Sequence, residues 1–556
     1  MGPTNMFKII WTLFFTVAAG DYLDAEDECQ ESGCTMSMLQ LGAQKVLPRS
    51  DAPAQAQPKT SSYVRPKNHV DLHSSTFPEQ KKCQEPPCSG QVHVQLGGPG
   101  EMVVSFVSQQ VSTKSRVRYG KGELNLEALG KTETYSQLMF WRADLWEPPI
   151  RGGYGLEQEI VAKDMSTSDW AFDPRTGWKY PSWREIGVQQ VDHDKMGWYK
   201  NPSERYDSPA IHTVVLTALQ PGVTYMYQVE NDDRTFEFTM PPDGQKYPYR
   251  VGLTGDIGQT PVSNSSMHLL SGLKPEVVLL TGDLSYADGF YPRWDSFGIM
   301  FEPLGAKIPV MTCPGNHEYG SAEAFKSYNV RYPMPFTQSG STDPNFWSRD
   351  IGPMHVVSLN SYASSKPGSF QYTWLERDFK DFNREKTPWL VVMMHAPWYN
   401  SNLGHYGEAK VMLENMEVLF FQHGVNIVLA GHVHSFERTW PVYKNKTSSC
   451  GPVYINIGDG GNREGPYSHW LPFVNAFDSW SAFRQGAFGI GELEIMNASH
   501  SLFTWKRNAC FDHGEVTFDA ANCSSEGDNS KTSLVPEDMS WIVRSGKCQN
   551  QNMNQT

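Results

Sequence analysis

Five short apolar runs in this chain each deliver a small polar loop, and that recurrence constrains the fold more than any other feature. Tyr249-Arg250-Val251-Gly252-Leu253 leads into Thr254-Gly255-Asp256-Ile257-Gly258, and Val277-Val278-Leu279-Leu280 into Thr281-Gly282-Asp283-Leu284-Ser285-Tyr286-Ala287-Asp288-Gly289. Ile308-Pro309-Val310-Met311 leads into Cys313-Pro314-Gly315-Asn316-His317-Glu318. Trp389-Leu390-Val391-Val392-Met393-Met394 delivers His395, and Val425-Asn426-Ile427-Val428-Leu429-Ala430 delivers Gly431-His432-Val433-His434. Short runs rich in β-branched residues between turn residues read as buried strands. In open α/β sheets the crevice beyond the carboxyl ends of the strands binds ligands, so these loops should place their polar residues in one cleft.

The loops together offer Asp256, Asp283, Tyr286, Asn316, His395, His432 and His434. Seven oxygen and nitrogen donors are too many for one small ion but suit two that share a carboxylate. Two ions roughly 3.5–4 Å apart can clamp the attacking and leaving oxygens of a phosphoryl displacement and lower the pKa of a bound water. No Walker A loop is present, and Cys313 has Tyr319 rather than Arg six positions on, so a Cys-x5-Arg nucleophile is absent.

Composition narrows the setting. At 556 residues and 39% hydrophobic, the chain can bury a large core and should form two or more domains. Its net charge of -14, without an extended basic run, excludes nucleic acid as an expected partner, because binding phosphate backbones requires a positive surface. Lys8, then an apolar stretch ending Ala18-Ala19-Gly20, reads as a secretory signal over residues 1–20, and no later stretch is long enough to span a membrane. Secretion, or residence in the secretory lumen or a vacuole, would let Cys29/Cys34, Cys83/Cys88 and Cys510/Cys523 each close a local loop. Nine cysteines leave one over, and Cys313, after an apolar run, is the candidate buried thiol. Sequons at Asn264, Asn445, Asn497, Asn522 and Asn554 fit a glycoprotein.

Along the chain, residues 21–89 lack hydrophobic periodicity and read as a disordered leader or linker. From 90 to 245, alternating runs such as Gln91-Val92-His93-Val94-Gln95-Leu96 and Thr224-Tyr225-Met226-Tyr227-Gln228-Val229 argue an all-β sandwich of fibronectin type III kind. It is interrupted at 137–205 by an insertion with Trp141, Trp146, Trp170, Trp178, Trp183 and Trp198. That insertion reads as a small aromatic core of its own, with a substrate-facing flap as the alternative. Residues 246–510 form the α/β part. Residues 511–556 hold a loop, a tail and an expected edge strand at Met539-Ser540-Trp541-Ile542-Val543.

The five motifs in order resemble those of the purple acid phosphatases of the metallophosphoesterase superfamily: Gly255-Asp256-Ile257-Gly258, Gly282-Asp283-Leu284-Ser285-Tyr286, Gly315-Asn316-His317-Glu318, Val392-Met393-Met394-His395 and Gly431-His432-Val433-His434. The tract from His395-Ala396-Pro397-Trp398 to His405 is similar to the plant high-molecular-weight branch. The resemblance implies a β-sheet sandwich flanked by helices, preceded by the fibronectin-like domain. It implies that Asp256, Tyr286 and His434 hold Fe(III), that Asn316, His395 and His432 hold a divalent ion (Zn, Mn or Fe(II)), and that Asp283 bridges. His317 and His405 are the candidates to bind phosphate oxygens and protonate the leaving alkoxide, a role imidazole suits. The implied activity is hydrolysis of phosphate monoesters at acidic pH by metal-bound hydroxide. Small phosphorylated substrates are the expected partners, and a homodimer stays open. Nucleotide pyrophosphatase or phosphodiesterase activity at the same centre is the enzymatic alternative, and an adhesive glycoprotein with a relic site the other.

Overall fold

The structure, a computed structural model, describes residues 88–109, 111–142, 172–173, 178–179, 198–289, 291–320, 323–471, 480–508 and 534–544. The amino-terminal part is all-β. One antiparallel sheet runs Ser89–Leu96, Met102–Ser108, Ala210–Leu216, Lys131–Glu133, and the other Phe236–Thr239, Thr224–Val229, Arg116–Gly120, Leu126–Leu129. Alternation in the first strand turns Val92, Val94 and Leu96 into the core. Gln91, His93 and Gln95 on its other face are buried as well.

That second burial arises because the sandwich docks on the α/β part. Gln91 Nε2 donates to Asp295 Oδ1 at 3.3 Å, Val92 N to Glu302 Oε2 at 3.0 Å, and the His93 ring meets Arg331 O at 2.8 Å. At the centre lies a buried ion pair, Arg331 Nη2 to Asp295 Oδ1 at 2.8 Å, with Tyr206 donating to Asp295 Oδ2 at 2.6 Å and Arg331 Nε donating to Tyr135 Oη at 3.0 Å. A buried pair repays its desolvation only when its remaining polar atoms are satisfied, and these side chains supply that.

The insertion leaves and rejoins the sandwich through Ser136–Arg142 and Trp198–Asp207, which pair antiparallel. The side chains of its expected aromatic core, the leader up to residue 87, and the loop after residue 510 fall outside the described residues.

Two mixed sheets form the α/β part. The first runs Val310–Thr312, Val277–Leu280, Tyr249–Thr254, Gly489–Ile495, His500–Asn508, Leu534–Val543, with the first three strands parallel. Leu534–Val543 is the edge strand expected from Met539-Ser540-Trp541-Ile542-Val543. The second sheet runs Trp347–Ile351, Met354–Ser358, Trp389–Met393, Ile427–Ala430, Val453–Ile457, Phe436–Thr439, Ser481–Gln485, parallel from Met354 to Ile457. All five motif strands are fully or almost fully buried, as parallel strands covered on both faces must be. Their carboxyl ends carry the five loops. Cys313 is buried and free, whereas Cys88 and Cys450 are disulfide-bonded.

Away from the loops, His355 joins three elements. Its Nδ1 lies 2.7 Å from Asp350 Oδ1 and its Nε2 3.0 Å from Asp378 Oδ2. Burial lowers the His355 pKa, but the two carboxylates outweigh it and lift it to about 9. Raised in the fold, the group contributes stability fully present below pH about 6.5 and lost as pH rises through about 9, on the order of 3 kcal/mol. Denaturant unfolding at pH 6 and 9.5 should show this loss in the wild type and a clearly smaller one in His355→Phe. Equal losses would show that the cluster is not the cause.

Candidate active site

The loops arrive with their backbones in the left-handed region. Asp256 and Asp283 have φ of +53°, Tyr286 +50°, His405 +55° and His432 +69°. Non-glycine residues pay for that conformation, and such strain concentrates at sites whose surroundings over-determine the geometry. The motif glycines allow the loops to touch. A Cβ on Gly315 would stand 2.0 Å from Asp283 Oδ1, and one on Gly431 would stand 2.3 Å from Asp256 Oδ2.

Polar atoms converge in two groups. In the first, Tyr286 Oη lies 2.9 Å from His434 Nε2 and 3.4 Å from Asp256 Oδ1, and His434 Nε2 lies 3.4 Å from the same Asp256 oxygen. In the second, His395 Nε2 lies 2.9 Å from Asn316 Oδ1 and 2.9 Å from Asp283 Oδ2. His432 joins Asp283 and His395 with ligand atoms within 4.8 Å of one another. All seven residues expected from the sequence therefore meet in one cleft, with His317 and His405 beside them.

Several supporting residues carried no role in the sequence reading. Glu318 accepts from the N–H groups of Asp283, Leu284 and Gly315 at 2.8–2.9 Å, stapling the second loop to the third. Burial and the Asp283 charge push its carboxyl up to about 7. Glu408 Oε2 lies 2.8 Å from His432 Nε2 and 2.9 Å from His405 Nδ1, so it fixes the His432 tautomer and leaves Nδ1 available as a ligand atom. Asp288 Oδ1 takes His317 Nδ1 at 2.5 Å, and Arg463 is ion-paired to Asp288 while donating to Tyr286 O at 2.8 Å. Burial pulls His317 down, but Asp288 and Asp283 hold it well above the usual imidazole range. The available signals were proximity alone. Asp288 closes the loop that holds Tyr286, Glu408 is three residues past His405, and Arg463 follows the Gly458-Asp459-Gly460-Gly461-Asn462 loop.

Three family models match in order along the chain. Residues 89–240 match "Purple acid Phosphatase, N-terminal domain", 249–436 match "Calcineurin-like phosphoesterase", and 451–519 match "Iron/zinc purple acid phosphatase-like protein C". Purple acid phosphatase 18 of Arabidopsis thaliana is 34% identical over 452 residues, covering 80% of this chain and 86% of that protein. The chain belongs to the purple acid phosphatase family. Purple acid phosphatase 22 of the same plant is 42% identical over 308 residues, 54% of this chain and 70% of that protein. A purple acid phosphatase from yellow lupin (Lupinus luteus) seeds shares the fold, with a TM-score of 0.60 at 21% identity, over 84% of this chain and 76% of that one. The protein is thus a phosphatase, and its family implies a dimetal centre of iron plus a second metal.

The residues in the cleft fit such a pair. His395 Nδ1 donates to Thr281 O at 2.7 Å, which turns its Nε2 towards Asn316 Oδ1 and Asp283 Oδ2, each 2.9 Å away. Asp283 and Asp256 raise His395 to about 10 against its burial, so with no metal a proton on Nε2 joins these three atoms, and a cation would take its place. Asp283 Oδ2 is buried without a hydrogen bond, although the His395 nitrogen is close. The complete donor set argues against a relic centre. Among the described residues no helix is long and apolar enough to cross a membrane.

Proposed function

We propose that this cleft hydrolyses phosphate monoesters at acidic pH, with Asp256, Tyr286 and His434 holding Fe(III), Asn316, His395 and His432 holding Zn, Mn or Fe(II), and Asp283 shared between them. The observation that carries the reading is the double approach of His395 Nε2 to Asn316 and Asp283 beside the Asp256–Tyr286–His434 group. The division follows donor hardness, since phenolate and carboxylate suit a ferric ion while imidazole and amide oxygen suit a divalent one. Tyr286 supports it further. Burial and the surrounding carboxylates push its hydroxyl well above the usual tyrosine range, so a phenolate there requires a highly charged cation. When bound, such a pair supplies charge stabilisation for phosphoryl displacement and a water acidic enough to act as nucleophile.

The chain's own residues handle the substrate. His317, anchored at Nδ1 by Asp288, turns Nε2 to 3.9 Å from Asp283 Oδ2, where it can donate to a phosphate oxygen. His405, bonded to Glu408 through Nδ1, would protonate the leaving oxygen. Disulfide-bonded Cys88 and Cys450, with the sequon residues Asn445 and Asn497 in exposed positions, support a secreted glycoprotein.

Purified protein should contain about two metal ions per chain, iron among them, as a two-metal site requires. It should be coloured by charge transfer from Tyr286 and should hydrolyse p-nitrophenyl phosphate. A colourless, iron-free and fully active enzyme would remove Tyr286 from the ligand set and leave the phosphoesterase reading intact.

A further inference from the structure

Tyr319 ends the short helix Asn316–Tyr319 at the lip of the cleft. Residues three apart on a helix share a face, so Tyr319 stands on the side from which Asn316 reaches towards His395. Its ring stacks on Tyr362, with centroids 5.9 Å apart and planes at 4°. Tyr362 in turn donates its hydroxyl to Asn316 Oδ1 at 3.3 Å, and its ring lies 6.3 Å from that of His395. The buried Phe325 backs Tyr319 at 5.3 Å. Braced by two aromatic rings, Tyr319 is nevertheless 47% exposed. On the loop that carries His405, Leu403 and Tyr406 are 51% and 53% exposed, so a second loop at the cleft also offers apolar surface.

We infer that Tyr319, held by Tyr362, is the leaving-group platform of this site and selects phosphomonoesters whose alcohol is planar and aromatic, aryl phosphates and nucleoside monophosphates, over alkyl phosphates. The inference rests on the reading of the cleft as a phosphomonoesterase site and adds its specificity. A phosphoryl group bound on the polar floor leaves its alcohol projecting outwards, where polar contacts give way to rings. An aromatic face gains by offset stacking on another, and a ring already packed loses little freedom on binding. Stacking does not read hydrogen-bond patterns, so different planar groups are accepted. Tyr362 is a positioning residue, since it also orients the Asn316 amide.

Calorimetric titration of the holoenzyme with benzylphosphonate and butylphosphonate tests this without leaving-group acidity, because neither ligand is hydrolysed. Benzylphosphonate should bind the wild type more tightly. Tyr319→Ala should reduce the benzyl-to-butyl affinity ratio roughly tenfold, the effect of one aromatic pair, whereas Tyr319→Phe should preserve it. Should the alanine variant fail to fold, Tyr319→Leu, which keeps bulk but not the aromatic face, carries the same expectation. A ratio unchanged by loss of the ring overturns the platform while p-nitrophenyl phosphate hydrolysis still stands. Absence of both phosphonate binding and hydrolysis removes the phosphomonoesterase reading and the platform with it.

Discussion

Asp283→Asn should strip metal from the purified protein and lower kcat/KM for p-nitrophenyl phosphate by more than the 10²–10³ that loss of one preorganised electrostatic contact costs. The reason lies in which oxygen each neighbour uses. Asp283 Oδ1 accepts the His317 backbone N–H at 2.9 Å, while Oδ2 faces His395 Nε2 at 2.9 Å with no hydrogen bond of its own. In asparagine only one position is an acceptor, and the His317 N–H claims it. The amide NH₂ must then occupy the Oδ2 position, presenting donors where a shared ligand is needed. The charge is lost too, and it is one that the protein has arranged to keep. Burial works against ionisation of Asp283, yet His395, His317 and His432 hold its carboxyl well below the usual range. Metal content by mass spectrometry, with kcat/KM and a melting curve as control, decides the matter. Full metal occupancy with wild-type turnover would show that Asp283 does not bridge.

The residues proposed to hold the metals could be picked out because each follows a buried strand within six residues, so topology delivers them to the same end of the sheets whatever the loops contain. What escaped is what depends on side-chain reach. Glu408 meets His432 across 24 residues, Arg463 meets Asp288 across 175, and Tyr362 meets Asn316 across 46. No local periodicity records such pairings, and each residue type is as much at home on a solvated surface. The left-handed conformation of Tyr286 was also invisible, since glycine, asparagine, aspartate and histidine are the residues enriched there. In the amino-terminal sandwich, the alternation of Gln91-Val92-His93-Val94-Gln95-Leu96 identified the strand and its core face. It could not show that the polar face docks on Asp295, Glu302 and Arg331 instead of meeting water.

His405→Ala should leave the metals bound and slow alkyl phosphates by roughly the 10²–10⁴-fold typical of general acid catalysis. No proposed ligand is removed by this change. The His405 ring packs against the His432 ring with centroids 3.7 Å apart, and both rings meet the same Glu408 oxygen. Glu408 therefore ties the proposed acid to a proposed metal ligand, and truncating His405 leaves it with the partner that matters for the metal. Alkoxides are basic and need a proton to depart, whereas acidic phenolates leave unaided, so aryl phosphates should suffer much less. That asymmetry separates proton donation from simple phosphate binding, which would depress both substrate types equally. Glu408→Gln extends the same logic. It loses a charge that favours protonated His405 and also disturbs His432, so it should slow both substrate types and loosen a metal. Measuring kcat/KM for an alkyl and an aryl phosphate, with metal content in each variant, distinguishes the outcomes: equal losses in His405→Ala would make His405 a phosphate binder, and lost metal would make it structural.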